Sequence, residues 1–214
     1  MSYAMEQGPR PHLITVDEYH RMAEVGLLAP DARVELIEGV IIDMAPIGSP
    51  HGMTVDLLTE MLVPTVKGRA IVRTRGAVKL SQWSEPQPDL VLLEPRPDRY
   101  RRANPDGNDI QLVIEVSESS LRYDFETKSR LYARYGVQEL WIVDLNDNAI
   151  HFMRNRTDVG FADVSSTLEP GPVLLPGLEL SIDLAKLFDF ELQPDQGATR
   201  ITIFPMKSPD SMSS

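Results

Sequence analysis

An α/β domain built on one sheet is what this sequence predicts, on three observations. Ile110-Gln111-Leu112-Val113-Ile114-Glu115-Val116-Ser117 and Glu139-Leu140-Trp141-Ile142-Val143-Asp144 are apolar, β-branched-rich runs bounded by turn residues. A helical segment from about Leu121 to Tyr135, closed by Gly136, lies between them, so the stretch reads as a strand–helix–strand unit. At 214 residues and 42% hydrophobic, the chain suits one domain with a real core. Strands buried on both faces are nearly continuous in apolar residues, which makes Glu115 the anomaly. Burying a carboxylate is costly unless a cation or donors meet it. A metal ion or Lys128, on the following helix, is therefore expected beside it.

Residues 1–12 carry no pattern. Thr15-Val16-Asp17-Glu18 is a capping-box signature opening a short helix through about Glu24, stopped at Gly26. Val34–Ile37 and Val40–Met44 flank Glu38-Gly39, which predicts a hairpin. Within it, Glu35 is either an auxiliary site carboxylate or a solvent-facing strand residue. Val55, Leu58, Met61 and Leu62 fall at helical spacing in His51–Val66, a helix ending near Pro64 or Val66. His51 at its start is either a polar terminus residue or a catalytic or substrate-contacting group.

Ala70–Thr74 and Ala77–Leu80 read as short strands around Arg75-Gly76. Pro88 then introduces Asp89-Leu90-Val91-Leu92-Leu93. Proline lacks an N–H and belongs at a strand's entry, so Asp89 stands at the mouth of a buried strand. Spacing alone also allows an Asp that bonds local backbone in a turn. Residues 95–109 form a loop in which Arg96, Arg99, Arg101 and Arg102 are either a solvated face or a grip for a phosphodiester backbone. After a turn at Asn146–Asn148, Ala149–Arg154 and Gly160–Val164 read as antiparallel strands. Val173–Ile182 is an interrupted strand, and Leu184–Phe188 a short helix covering the sheet. From Gln193 the chain reads as a tail, apart from Ile201–Phe204.

The formal net charge of −11 argues against non-specific coating of nucleic acid, which demands Lys and Arg. It leaves room for a nuclease, whose site is acidic. No cysteine is present, hence no disulfide framework and no thiolate zinc site. No run approaches the ~18 apolar residues of a membrane span and no signal-peptide h-region is visible, so the expected location is the cytoplasm.

Asp89, Glu115 and Lys128 together suggest chemistry. Two carboxylates on neighbouring strands can share a hard cation such as Mg²⁺, which prefers oxygen ligands and keeps several waters. A nearby lysine can orient a water or stabilise transition-state charge. Without the cation the carboxylates repel each other, so removing either is expected to leave the fold intact or slightly more stable.

The run Glu35-Leu36-Ile37-Glu38-Gly39, the Pro88-Asp89 pair, Ile114-Glu115-Val116-Ser117 with Tyr123-Asp124 and Lys128, and the stretch Tyr132 to Asp144 resemble the Uma-type restriction endonuclease family. That family lies within the PD-(D/E)xK nuclease superfamily, and the resemblance covers roughly residues 15–190. It implies a restriction-endonuclease-like fold, a mixed central sheet flanked by helices with the acidic site at one sheet edge. It also implies Asp89 and Glu115 as ligands of Mg²⁺, with Mn²⁺ as an alternative, and a DNA substrate. The superfamily lysine would stand two residues after Glu115, where this chain has Ser117; in the resembling family it is carried by the next helix, here Lys128. The resemblance favours the catalytic role for Lys128; the alternative is an ordinary surface i,i+4 pair of Asp124 and Lys128.

The implied organisation is a flexible N-terminus over 1–14, a nuclease domain over 15–192 and a mobile tail over 193–214. Three readings follow: a Mg²⁺-dependent endonuclease, a non-catalytic binding or regulatory protein on the nuclease fold, or a structural homo-oligomer joined by the Trp141 strand or the C-terminal segment. Nucleases of this fold often pair to cut two strands, which makes a homodimer an expectation.

Overall fold

Thr15 caps α1 (Val16–Glu24) through the expected reciprocal bonds with Glu18. The structure, a computed structural model, describes residues 10–188. The chain is held from Ile14 onward, whose N–H donates to Gly39 O at 2.9 Å. β1 (Val34–Ile37) and β2 (Val40–Asp43) form the expected hairpin. Its two turn residues, Glu38 at φ 48° and Gly39 at φ 80°, give the left-handed turn that matches strand twist. α2 (Ser49–Val66) runs through Pro64 to its full length.

The apolar runs then build the sheet. β3 (Ile71–Thr74), β4 (Leu90–Leu93), β5 (Ile110–Ser117), β6 (Leu140–Asp144), β7 (Ala149–Thr157) and β8 (Gly160–Thr167) lie side by side in that order. β5 and β6 are parallel and the other neighbours antiparallel, so the sheet is mixed as expected. A parallel pair needs a crossover. It is supplied by α3 (Leu121–Tyr123), a π-helical turn (Asp124–Lys128) and α4 (Ser129–Arg134), closed by Gly136 at φ 104°.

Side chains alternate across a strand, so the sheet has two cores. Leu112, Ile114 and Val116 of β5, with Trp141 and Val143 of β6, pack toward Val55, Leu58 and Leu62 of α2. Val113, Leu140 and Ile142 pack on the other face against Leu131 and Tyr132 of α4. Glu115 shares the parity of Val113 and therefore points into the α4 side. Each fully buried aliphatic side chain contributes about 1.5–3 kcal/mol relative to exposure, which holds the carboxylate's strand in place.

Several local expectations are corrected. Ala77–Leu80 is not a strand: Val78, Lys79 and Leu80 donate to Pro86 O, Pro105 O and Ser84 O. Two of those partners are prolines, which can accept but not donate in return, so no ladder forms. Val173–Ile182 is two strands, β9 (Pro172–Leu175) and β10 (Leu180–Asp183), paired antiparallel as a separate ribbon. Leu184–Phe188 makes turns rather than a helix, although Leu184 and Leu187 are buried in the α2-side core. Trp141 is fully buried in an interior strand, so that strand offers no interface. The C-terminal segment, with Ile201–Phe204, lies outside the described residues. No helix among the described residues is long and apolar enough to cross a membrane.

Candidate active site

Glu115 meets its cation. Lys128 Nζ donates to Glu115 Oε1 at 3.1 Å, and Tyr132 OH donates to the same oxygen at 2.6 Å. Lys128 Nζ also lies 3.3 Å from Glu35 Oε2 and 3.9 Å from Asp124 Oδ1. All five side chains are buried, Glu35 and Tyr132 almost completely. Lys128 is therefore not part of a surface i,i+4 pair: Asp124 is the most distant of three carboxylates around one ammonium. The rare π turn that carries both residues is a feature often found at functional sites.

Asp89 sits just before β4, beside Glu115's strand. Its Oδ2 accepts the Val116 N–H at 2.9 Å and lies 3.1 Å from His51 Nε2. The Asp89 side chain thus reaches across to β5 instead of closing a local turn, and His51 reaches down from the first turn of α2. Removing Asp89 entirely would leave Val116 N–H unpaired, a cost that opposes the relief of carboxylate repulsion expected from the sequence. Glu35 belongs to the site and not to solvent, since it is buried with its Oε2 3.3 Å from Lys128 Nζ; Gln87 N donates to the same oxygen. The candidate catalytic and auxiliary residues come together here: Asp89, Glu115, Lys128, Glu35 and His51 line one pocket of about 350 Å³. The pocket opens at the strand ends, beneath the β1–β2 hairpin, and not at a lateral edge of the sheet.

Four participants were not singled out as site residues. Tyr132 orients Glu115, while Ser117 and Ser120 each donate to Asp124 Oδ2 at 2.6 Å. Asp124, Lys128 and Tyr132 recur every four residues, a one-faced polar spacing that could have flagged the set. Ser117, two residues after Glu115, thus holds the Asp124 carboxylate that faces Lys128. The Arg96–Arg102 loop follows the opposite end of β4 and does not line the pocket; Arg96 pairs with Asp98 and lies over the Tyr100 ring.

Charge is finely set in this pocket. Burial, with Asp124, Asp89 and Glu35 nearby, pushes the Glu115 carboxyl up to about 8 despite the pull of Lys128. Burial works against the Lys128 ammonium, but Glu115, Glu35 and Asp124 overcome it and raise its pKa. The cluster therefore has more negative charge than its one lysine balances. Among the described residues, no three Asp, Glu or His side chains gather closely enough to cage a metal ion by themselves. Asp89 and Glu115 each keep one carboxylate oxygen, Oδ1 and Oε2, without a hydrogen bond to any described residue. That set fits Mg²⁺, which takes one or two carboxylates and completes its shell with water.

A mixed sheet with a buried lysine amid carboxylates at its strand ends defines a protein of restriction-endonuclease-like fold. The chain belongs to the Uma2 family, described as "putative restriction endonuclease", whose model matches residues 16–185. It is similar to the crystal structure of a "putative nuclease belonging to DUF820" from Anabaena variabilis, at 18% identity and a TM-score of 0.63. That alignment covers 82% of this chain and 98% of the other, and at this identity it bears on the fold alone. No curated protein matches the chain.

Proposed function

We propose that the protein is a Mg²⁺-dependent endonuclease, with Mn²⁺ able to replace Mg²⁺, that hydrolyses phosphodiester bonds of DNA. The observation that carries this reading is Lys128, buried at the floor of a pocket it shares with Asp89 and Glu115. Asp89 and Glu115 would hold the ion through their free oxygens. When bound, the ion would supply Lewis-acid polarisation of a phosphoryl oxygen and a more acidic water.

The chain's own groups do the rest. Glu35 and Asp124 keep Lys128 charged, so it acts as a donor rather than as a base. Its long contact to Asp124 leaves an N–H for a water or a phosphoryl oxygen, where a fixed positive charge stabilises the developing anion. Tyr132 and Lys128 turn Glu115 Oε1 away and present Oε2 to the pocket. His51 steadies Asp89. Incubating plasmid and labelled oligonucleotides with Mg²⁺ or Mn²⁺, against a chelator control and the Glu115→Gln and Lys128→Met variants, tests the proposal. Cleavage by wild type only, abolished by chelation, supports it; no cleavage with either ion leaves a non-catalytic member of the fold.

A further inference from the structure

We propose that the strand this site takes is unpaired, a single-stranded segment or a melted stretch rather than intact duplex. This rests on the nuclease reading above and narrows its substrate class. The first argument is depth. Glu115 and Lys128 are 3% exposed and Glu35 1%, at the bottom of a pocket of about 350 Å³. That lies at the small end of ligand pockets, ~300–1,000 Å³, and holds about one nucleotide rather than the flank of a double helix.

The walls are pinned. On one side stand Ile42 of β2 and, just after the hairpin, Met44 and Ile47, where Met44 N donates to Arg33 O at 2.8 Å and the Arg33 side chain holds Ala45 O. On the other, Asn146 Nδ2 donates to Glu118 O at 2.7 Å and Leu145 N to Ser117 O at 2.9 Å. A duplex brings one phosphodiester down between such walls only by kinking or by extruding a nucleotide. A flexible strand enters without that cost.

Electrostatics point the same way. Glu35, Asp43, Asp89, Glu115, Glu118 and Asp124 line the pocket against two cations, Arg33 and Lys128. A duplex brings one negative charge per ~1.7 Å of its axis and needs a basic track. The most basic window of the chain, Arg96–Arg102, lies past the far end of β4 and does not line the pocket. Arg75, whose N–H donates to Asp89 O at 2.9 Å, adds one more cation beside the pocket, so binding draws on few phosphates and on the base itself. Unpaired bases offer their faces and edges. The pocket answers with an apolar wall at Met44, Pro46 and Ile47, and with the Tyr123 side chain.

The test uses the full chain with Mn²⁺ or Mg²⁺ and one sequence in four forms: single-stranded DNA, the same strand as RNA, a duplex closed by loops at both ends, and that duplex with an internal bubble. Unpaired DNA or RNA should be cut at least about tenfold faster than paired stem, since extruding a paired base costs a few kcal/mol, and the bubble should be cut within its open segment. The DNA and RNA arms identify the sugar. Cleavage of the closed stem as fast as the single strand overturns the inference and leaves the nuclease reading standing. No cleavage of any form overturns both.

Discussion

Lys128 Nζ lies 3.1 Å from Glu115 Oε1, joining the crossover helix to the strand that precedes it deep inside the sheet's second core. The pair fixes where the acidic groups point, and it ties stability, protonation and ion binding to the same few atoms.

Lys128→Met should therefore unfold more easily as well as lose activity. It leaves three carboxylates facing one another without a cation, and breaking a buried pair from one side costs about 3–5 kcal/mol. Thermal melts should show a large fall in Tm that narrows in acid, where the carboxylates can take up protons. A variant as stable as wild type at pH 8 would mean that the ammonium does not hold the cluster together.

Stability should fall as pH rises from about 4.5 to about 8. Glu115 has an ordinary value of 4.5 and is pushed up to about 8 by burial, so the folded chain holds a proton that the unfolded chain releases. Folding binds protons in that window, and the contribution, on the order of a few kcal/mol, is complete below 4.5 and lost as pH passes 8. Glu115→Gln cannot titrate and should flatten the slope. Urea melts of both proteins at pH 5, 6.5 and 8 check it; parallel slopes would refute the assignment to Glu115.

Mg²⁺ or Mn²⁺ should raise the Tm of the wild type, and more at pH 8 than at pH 6. An ion that binds only the folded state stabilises by mass action, and at lower pH it competes with the proton on Glu115. Asp89→Asn and Glu115→Gln should each lose most of the shift. Indifference of the wild type to both ions at both pH values would remove the shared-ion reading.

Asp89→Ala and Asp89→Asn should separate structure from function. Asparagine keeps an oxygen for Val116 N–H, so its fold should survive while cleavage is lost. Alanine leaves that donor unpaired, at about 1–3 kcal/mol. Equal melting of the two variants would show that the 2.9 Å bond to Val116 contributes little.

Much of this protein is legible in the sequence because its signals are local. The capping box at Thr15, the Glu38-Gly39 turn and the apolar runs around Glu115 and Trp141 each follow from periodicity or backbone preference within a few residues. One buried carboxylate in an apolar strand was enough to demand a partner. Which partner, and how many acids it would serve, was decided only by tertiary structure. Glu35, Glu115, Asp124 and Lys128 come from a hairpin, a strand and a helix whose approach depends on packing both faces of the sheet. The same holds where local signals failed. Ala77–Leu80 has the composition of a strand, but a strand exists only when a neighbour can exchange hydrogen bonds with it, and here the neighbours are Pro86 and Pro105. Sequence patterning determined which residues had to be buried. The assembled fold determined which charges would be buried together, because electrostatic pairing depends on distance in space and not on separation along the chain.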